Sequence, residues 1–262
     1  MKGPLSDFTP SDDLCDAGFR FGEKGTHTSR TIMLAELAEV LAGLPLAAER
    51  AEYASAIIDD NLLGKSTAAT RRLTSQRLSE LYGLDRRLPL FRVLRRLWAA
   101  DEPGRPLMAL LCALARDPLL RVTAEVVLAL PQGAELARTS FLAAIRDAVG
   151  TRLNDATLDK VARNAASSWA QAGHLQGRVR KIRQRVTPTP GAVAMALWMG
   201  SLEGLAGRQL LDCRWVQILD RSGEALIETV LQAKQRGVLN ARIDAGVVEI
   251  DLPQLDAPLQ EA

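Results

Sequence analysis

Residues 61–78 gather cationic and neutral hydrogen-bond donors at a spacing that could hold phosphate groups. Arginine presents a planar fork of N–H donors that matches phosphate oxygens or the edge of a guanine. Backbone amides at a helix start also attract anions, because the helix dipole is positive there. The candidate phosphate contacts are Lys65, Ser66, Thr67, Thr70, Arg71, Arg72, Gln76 and Arg77. Phosphate binding is therefore the chemistry that this stretch predicts.

Two predicted helices, at 47–62 and 67–82, must position these donors. Gly64 can adopt the positive φ that ends the first helix, and Ser66 or Thr67 can cap the second. Helical spacing places Leu78 on a buried face of the second helix and its donors on the opposite face. That free face consists of Arg72, Ser75, Gln76 and Ser79. The pattern predicts a DNA-binding helix-turn-helix, with a plain structural hairpin as the alternative.

Gly64, Lys65 and Ser66 also match the end of the nucleotide-binding loop G-x-x-x-x-G-K-[ST]. That loop needs its first glycine at position 59, where this chain has Asp59. A carboxylate there would repel the triphosphate that the loop has to wrap. The spacing thus excludes an ATP site of this type.

A second basic segment, residues 178–185, follows a predicted helix end at Gly177. Its cations are Arg178, Arg180, Lys181, Arg183 and Arg185. Either a strand or a short helix fits the segment. A basic strand after a helix is how a winged-helix domain delivers its wing to DNA, whereas a solvated linker before Pro188 is the alternative.

Positive charge is confined to parts of the chain, although the formal net charge is only +2. Residues 65–98 hold nine basic and two acidic residues, while residues 1–60 hold eleven acidic and five basic ones. A predicted helix at 88–99 adds Arg92, Arg95 and Arg96 on a face opposite its apolar stripe. Such segregation is typical of proteins that bind polyanions. We expect the two arginine-rich segments to form one continuous positive trough for a duplex.

The composition is rich in Leu and Ala and has only 4% aromatic residues, which favours a mainly α fold. We expect a multi-helix bundle with helix-turn-helix and winged-helix-like elements. A small C-terminal β-hairpin is predicted at 238–243 and 247–252, around Asp244-Ala-Gly246. Four parts are predicted: a partly ordered arm at 1–28, a basic helical subdomain at 29–100, a helical core segment at 101–150 and a winged-helix-like subdomain at 151–262.

Residues for catalysis or for binding a metal are sparse. The chain has two histidines and three cysteines, in no C-x-x-C motif, so we expect reduced thiols, no metal site and no cofactor. The nucleophile elbow G-x-S-x-G is absent, and we expect no constellation of nucleophile, base and orienting group. The N-terminus is polar and acidic, without an apparent signal, and no apolar run reaches the roughly 20 residues of a membrane span. The sequence predicts a protein that is not an enzyme.

Four stretches together resemble the BrxA family of BREX (bacteriophage exclusion) phage-defence systems, over most of residues 17–252. They are Gly22-Glu23 with Thr28-Ser29-Arg30, Asn61-Leu-Leu-Gly-Lys-Ser66 with Thr70-Arg-Arg72 and Gln76-Arg77-Leu78, Leu119-Leu-Arg-Val with Glu125-Val-Val, and Thr157-Leu-Asp-Lys160 with Ala172-Gly173-His-Leu. The resemblance implies a cytoplasmic, non-enzymatic accessory protein that binds double-stranded DNA. It also implies that this accessory protein acts together with a methyltransferase, an ATPase and a phosphatase-like protein.

The family's polar pattern falls on Asn61, Ser66, Thr70, Arg72 and Arg77 of this chain. His174 departs from it, since an apolar residue is expected after the helix-ending glycine. A rival hypothesis from the same charges is a protein-interaction scaffold, whose arginines meet acidic partner surfaces without touching DNA. The sequence does not fix the oligomeric state.

Overall fold

A computed structural model describes residue 5 and residues 8–244, 247–252 and 255–259. Short 3-10 helices lie at Thr26–Thr28 and Glu102–Gly104. The first eight α-helices are α1 (Asp12–Asp16), α2 (Leu34–Gly43), α3 (Arg50–Ile58), α4 (Ala68–Tyr82), α5 (Pro89–Ala100), α6 (Arg105–Arg116), α7 (Pro118–Arg121) and α8 (Ala124–Ala129). The other six are α9 (Arg138–Val149), α10 (Asp155–Gln171), α11 (Pro190–Ser201), α12 (Arg208–Leu211), α13 (Arg214–Ile218) and α14 (Gly223–Gln235). The predicted mainly α class is confirmed.

Helix α11 lies at the centre of the core and packs against α5, α6, α13 and α14. Its residues 190–200 are all buried, because alanines and glycines let neighbouring helices approach closely. Gly191 shows how close: an added Cβ would lie 2.5 Å from Asp101 Oδ2, which accepts a hydrogen bond from the Gly191 amide at 2.7 Å. Any larger residue at position 191 would displace the carboxylate.

Two antiparallel hairpins complete the fold. The first pairs β1 (Leu175–Gln176) with β2 (Ile182–Arg183). The second pairs β3 (Asn240–Asp244) with β4 (Val247–Asp251), which confirms the predicted C-terminal hairpin. The predicted turn residues 245 and 246 lie outside the described residues.

The segment predicted as an N-terminal arm contributes to the core where it is described. Phe8 and Phe19 pack edge-to-face on Trp215 of α13, with ring centroids 5.4 and 5.7 Å away. The Arg121 guanidinium lies 4.8 Å from the Phe8 ring centroid, where it makes a cation–π contact. Residues 1–4, 6 and 7 of the predicted arm lie outside the described residues.

Helix α3 is shorter than predicted, so the link to α4 is longer. The chain leaves the helix at Asp59, and Asn61 already has a left-handed φ of 53° before Gly64 takes a φ of 58°. Residues 59–67 therefore form a link longer than the three or four residues that are usual in a helix-turn-helix. Of the two predicted caps, Ser66 and Thr67, it is Thr67 that caps α4, because its hydroxyl accepts from the Thr70 amide at 3.1 Å.

In the described part of the chain, no helix is both long enough and apolar enough to span a bilayer.

Candidate nucleic-acid interface

A cationic groove of about 470 Å³ lies between α3 and α4, and we call it the α3–α4 groove. Its polar and charged lining comes from α3, α4, α6 and the N-terminal segment. These side chains are Arg20, Arg50, Arg72, Ser75, Gln76, Ser79, Glu80 and Arg116. Four arginines thus face one carboxylate among the described residues of the lining. Such a surface attracts an anion.

Two of these arginines, Arg50 and Arg72, are exposed. Within the described residues neither makes a hydrogen bond or a close ion pair. Arg50 acts at longer range on Asp85, whose pKa lies below its usual value, chiefly because Arg87 donates hydrogen bonds to it. Both guanidinium forks are therefore available to an incoming anion.

The other two arginines form the back of the groove. Arg116 donates from Nε to the Glu80 carbonyl at 3.0 Å and from its terminal nitrogen to the Ser79 carbonyl at 3.2 Å. Arg20 donates to the same Glu80 carbonyl at 3.2 Å. Burial lowers the pKa of Arg116 to about 10, which still leaves it charged at neutral pH. Arg20 and Arg116 add to the positive electrostatic potential of the groove, and carbonyls of α4 hold both guanidinium groups in place.

Glu80 is already paired and does not neutralise Arg50 or Arg72. Its carboxylate accepts from Arg77 at 2.6 Å, Thr26 at 2.8 Å and Gln76 at 2.9 Å. Partial burial alone would raise the pKa of Glu80, but these hydrogen bonds outweigh it and hold the pKa below its usual value. Arg77 and Gln76 therefore each use a side-chain donor in a hydrogen bond to Glu80.

The start of α4 is also internally bonded. Lys65 pairs with Glu36 at 3.2 Å, and the Thr67 and Thr70 hydroxyls lie 2.9 Å apart. Arg71 reaches the Asp59 carbonyl at 3.5 Å, a long contact that an anion could replace. Ser66 is exposed. Ser75, predicted on the free face, is only 7% exposed, so that assignment is wrong: α3 covers this part of α4.

The three arginines of α5 that were predicted to extend the basic surface each donate a hydrogen bond to a backbone carbonyl. Arg95 is 5% exposed and donates to the Leu44 carbonyl at 2.6 Å, because the apolar side of α5 extends around it. Arg92 donates to the Asp256 carbonyl at 2.6 Å, and Arg96 donates to the Ala257 carbonyl at 2.9 Å. Arg95 is therefore buried and not on the outer face as predicted, whereas contact of the partly exposed Arg92 and Arg96 with DNA stays a prediction.

Two cations of the second segment are likewise structural. Arg183 is fully buried, where it donates to the Val127 carbonyl at 2.9 Å and pairs with Asp220 at 2.5 Å. Arg185 pairs with the same carboxylate at 2.7 Å. Burial raises the pKa of Asp220, but the arginine contacts outweigh it and keep the pKa low. The prediction that Arg183 contacts phosphate is wrong, because this side chain is fully buried. Arg185 is exposed, but one of its terminal nitrogens is paired with Asp220.

The tip of the β1–β2 hairpin carries the remaining cations. Arg180 pairs with Glu135 at 2.5 Å. Arg178 is exposed and Lys181 is half-buried, and neither side chain has a hydrogen-bond or ion-pair partner in the described ranges. Both line a second groove, of about 450 Å³, between α9, α10 and the hairpin, and we call it the α9–α10 groove. The segment is thus a hairpin, neither a helix nor a linker.

The elements that carry the two predicted basic segments pack on different parts of the core. Helix α4 packs on α3 and α6, whereas β1 packs on α10. The 3-10 helix at Thr26–Thr28 contacts both α4 and α10. A continuous trough for a duplex across both segments stays a prediction.

Sequence reasoning missed several residues that the fold brings into these grooves. Arg50 had a local signal, since on a predicted helix it shares a face with Ala54 and Ile58, which also line the α3–α4 groove. Arg163 likewise shares a face of α10 with Ala166 and Ser167 in the α9–α10 groove. Arg20 and Arg116 come from distant segments and had no such signal.

The fold brings a histidine, an aspartate and a serine together in the core, although the sequence predicted no arrangement of nucleophile, base and orienting group. His27 Nδ1 lies 2.8 Å from Asp117 Oδ2, and His27 Nε2 lies 2.8 Å from Ser168 Oγ. This is the order of groups in a serine hydrolase. All three residues are at most 1% exposed, and Ser168 Oγ donates to the Asn164 carbonyl at 2.9 Å while accepting from the Ile32 amide at 3.0 Å. A substrate cannot reach this serine in the observed conformation.

No protein-family model matches the chain, and no curated protein matches it either.

Proposed function

We propose that this protein binds double-stranded DNA without catalysing a reaction, and that it grips phosphates in the α3–α4 groove. The single observation that carries the proposal is the lining of this groove, where four arginines face one carboxylate that is already paired. Arg50 and Arg72 leave their forks free for bidentate contacts to phosphate oxygens. Ser79 lines the same groove and carries a neutral hydroxyl donor.

The arrangement after α9 supports a second contact. Helix α9, a link at 150–154, helix α10 and the β1–β2 hairpin follow one another in the order of a winged-helix domain. In this proposal the exposed Arg178 and Arg180 at the hairpin tip serve as a wing that contacts the DNA backbone. A wing adds backbone contacts that fix orientation without reading bases.

The resemblance to BrxA supplies the biological setting of this proposal. In it the protein is a cytoplasmic accessory component of a BREX-like phage-defence system, beside a methyltransferase, an ATPase and a phosphatase-like protein. The arginine and threonine positions of the family pattern include Thr70 and Arg72. Arg72 is also one of the two free cations of the groove, so this part of the resemblance and the electrostatics agree on one residue.

The test is a fluorescence-polarisation titration of a labelled duplex over a range of salt concentrations. Binding through phosphates makes log K fall linearly with log salt, with a slope of about −0.9 per phosphate neutralised. The double variant Arg50→Glu, Arg72→Glu should weaken binding at least about tenfold and flatten this slope by about 2. Lys234→Glu with Arg236→Glu is the matched control, because it also reverses two charges, at exposed residues at the end of α14 and just after it. Unchanged affinity in the double variant, or a flat salt response in the parent protein, contradicts the proposal.

The rival scaffold function has one specific observation in its favour: the α9–α10 groove has an apolar floor, which a phosphate cannot use. Co-purification with operon partners, and no nucleic acid in the purified protein before nuclease treatment, would support it.

A further inference from the structure

The α9–α10 groove combines an apolar floor with a cationic rim. Leu136, Phe141 and Ala162 are buried and form its floor together with the half-exposed Ala166. The rim is made of charged and polar side chains from three elements. They are Arg138 of α9, Arg163 and Ser167 of α10, and Arg178 and Lys181 of the hairpin. Val179 closes one side and is 91% exposed.

The rim carries uncompensated positive charge. Arg138 is paired with Asp159, and Arg163 only acts on that same carboxylate from a distance. Among the described residues, Arg163, Arg178 and Lys181 make no side-chain hydrogen bond or close ion pair. A partner with both acidic and apolar side chains would complement this groove. Its carboxylates would pair with the exposed cations, and its apolar side chains would cover the apolar surface.

A duplex does not complement this groove well. DNA phosphates are hydrated anions on a convex surface, and they gain nothing from an apolar floor of Leu136 and Phe141 side chains. An apolar side chain gains free energy by leaving water for such a floor, at about 25 cal/mol per Å² of buried area. The floor therefore favours protein over nucleic acid, while the rim selects negative charge.

We propose that the α9–α10 groove docks a short acidic segment of a partner protein, with one large apolar side chain on the floor and flanking carboxylates on the rim. The rim offers Arg163 from α10 and Arg178 and Lys181 from the hairpin, so cations from two elements are available to the carboxylates that flank the anchor. The volume of about 450 Å³ suits such an anchor with a few flanking atoms, and lies in the usual range of about 300–1,000 Å³ for ligand pockets. The site is distinct from the α3–α4 groove and does not depend on DNA binding there.

The experiment uses the full chain and a short labelled peptide with a central phenylalanine flanked by aspartates and glutamates. Two further peptides separate the contributions, one with alanine in place of the phenylalanine and one with lysines in place of the acids. Both should bind at least about tenfold more weakly than the parent peptide. Equal binding of the alanine peptide would mean attraction by charge alone and would overturn the proposal.

Ala166→Phe tests the floor, because it fills the groove and leaves every cation in place. It should abolish peptide binding while leaving affinity for duplex DNA unchanged. Ala156→Phe is the matched control, since it makes the same change at an exposed residue of α10 outside the groove. Circular dichroism and thermal unfolding check that both variants fold, and Arg163→Glu, at a rim cation that has no part in the proposed DNA contacts, tests the rim independently if Ala166→Phe does not fold.

The outcomes separate this proposal from the DNA-binding function. Peptide binding that survives Ala166→Phe overturns the docking site, whatever the duplex does. If duplex DNA displaces the peptide and Ala166→Phe weakens duplex binding equally, the groove belongs to the DNA surface and the peptide assignment is wrong. If Arg50→Glu with Arg72→Glu leaves duplex binding intact but peptide binding follows the pattern above, only the DNA proposal fails.

Discussion

His27 Nδ1 lies 2.8 Å from Asp117 Oδ2, in a fully buried contact between the segment before α2 and the start of α7. The same carboxylate accepts from the His27 amide at 3.0 Å and caps α7 by accepting from the Leu119 amide at 2.9 Å. His27 Nε2 lies 2.8 Å from Ser168 Oγ, and the Ser168 hydroxyl in turn donates to the Asn164 carbonyl. One buried hydrogen-bond network thus joins residues 26–28 to α7 and α10.

Removing this carboxylate should destabilise the protein strongly. Asp117→Ala leaves the His27 ring and the α7 amides without their acceptor, and breaking a buried pair costs about 3–5 kcal/mol. Chemical denaturation should show this as a lower midpoint. Asp147→Ala, at an exposed residue of α9, should change the free energy of unfolding by less than about 0.5 kcal/mol. A small effect of Asp117→Ala would mean that the pair adds little to the fold.

The contact between Asp117 and His27 should also make the stability of the protein depend on pH in the acidic range. Burial would raise the pKa of Asp117, but the contacts with His27 outweigh it and leave the pKa below its usual value. The unfolded chain then takes up a proton first, at about pH 4, so the stabilisation is present above that pH and is lost as pH falls through the folded value. Asp117→Asn should therefore be less stable at neutral pH and lose less stability than the parent protein below about pH 4.

His174 should make stability depend on pH in a higher window. Burial lowers its pKa to about 4, and its Nε2 lies 2.7 Å from the Ile218 carbonyl. The unfolded value is about 6.5, so the unfolded state binds the proton first and stability falls as pH drops from about 6.5 to about 4. The loss from this group is about 3 kcal/mol. Denaturation midpoints across this range check it, and His174→Gln should flatten the slope; an equal slope in the variant contradicts it.

Substitution of the buried Arg183 should destabilise the protein much more than substitution of the exposed Arg178, because only Arg183 supports the fold. Arg183→Ala leaves Asp220 buried with only Arg185 and the Val186 amide, and should cost about 3 kcal/mol or more. Arg178→Ala, five residues earlier at an exposed position, should cost less than about 0.5 kcal/mol. Thermal unfolding of the two variants provides the comparison. Similar stabilities would mean that Arg183 does not support the fold.

The sequence predicted what depends on local pattern. The helical class, the Thr67 cap and the C-terminal hairpin follow from periodicity and from turn residues within a few positions, and all three are confirmed. The fate of each arginine depends on a partner far along the chain. Arg183 meets Asp220 and Arg95 meets the Leu44 carbonyl, and no local pattern announces either contact.

The candidate site was predictable to the same extent. Arg72 was found because helical spacing alone places it on the free face of α4. Arg116 and Arg20 were missed because only tertiary packing brings them behind α4. The His27–Asp117–Ser168 constellation joins residues from three distant segments for the same reason.

A last prediction concerns whether one duplex touches both basic regions. If DNA runs from the α3–α4 groove to the hairpin tip, Arg178→Glu with Arg180→Glu should flatten the salt slope by about 2, as Arg50→Glu with Arg72→Glu does. The two effects should then add in the quadruple variant, because distant phosphate contacts are independent. Competition with unlabelled duplexes of increasing length gives a second readout, since a short duplex that fills only one region should lose sensitivity to the other pair. A hairpin-tip variant that binds long duplexes with the parent slope would confine DNA to the α3–α4 groove and leave the tip to protein partners.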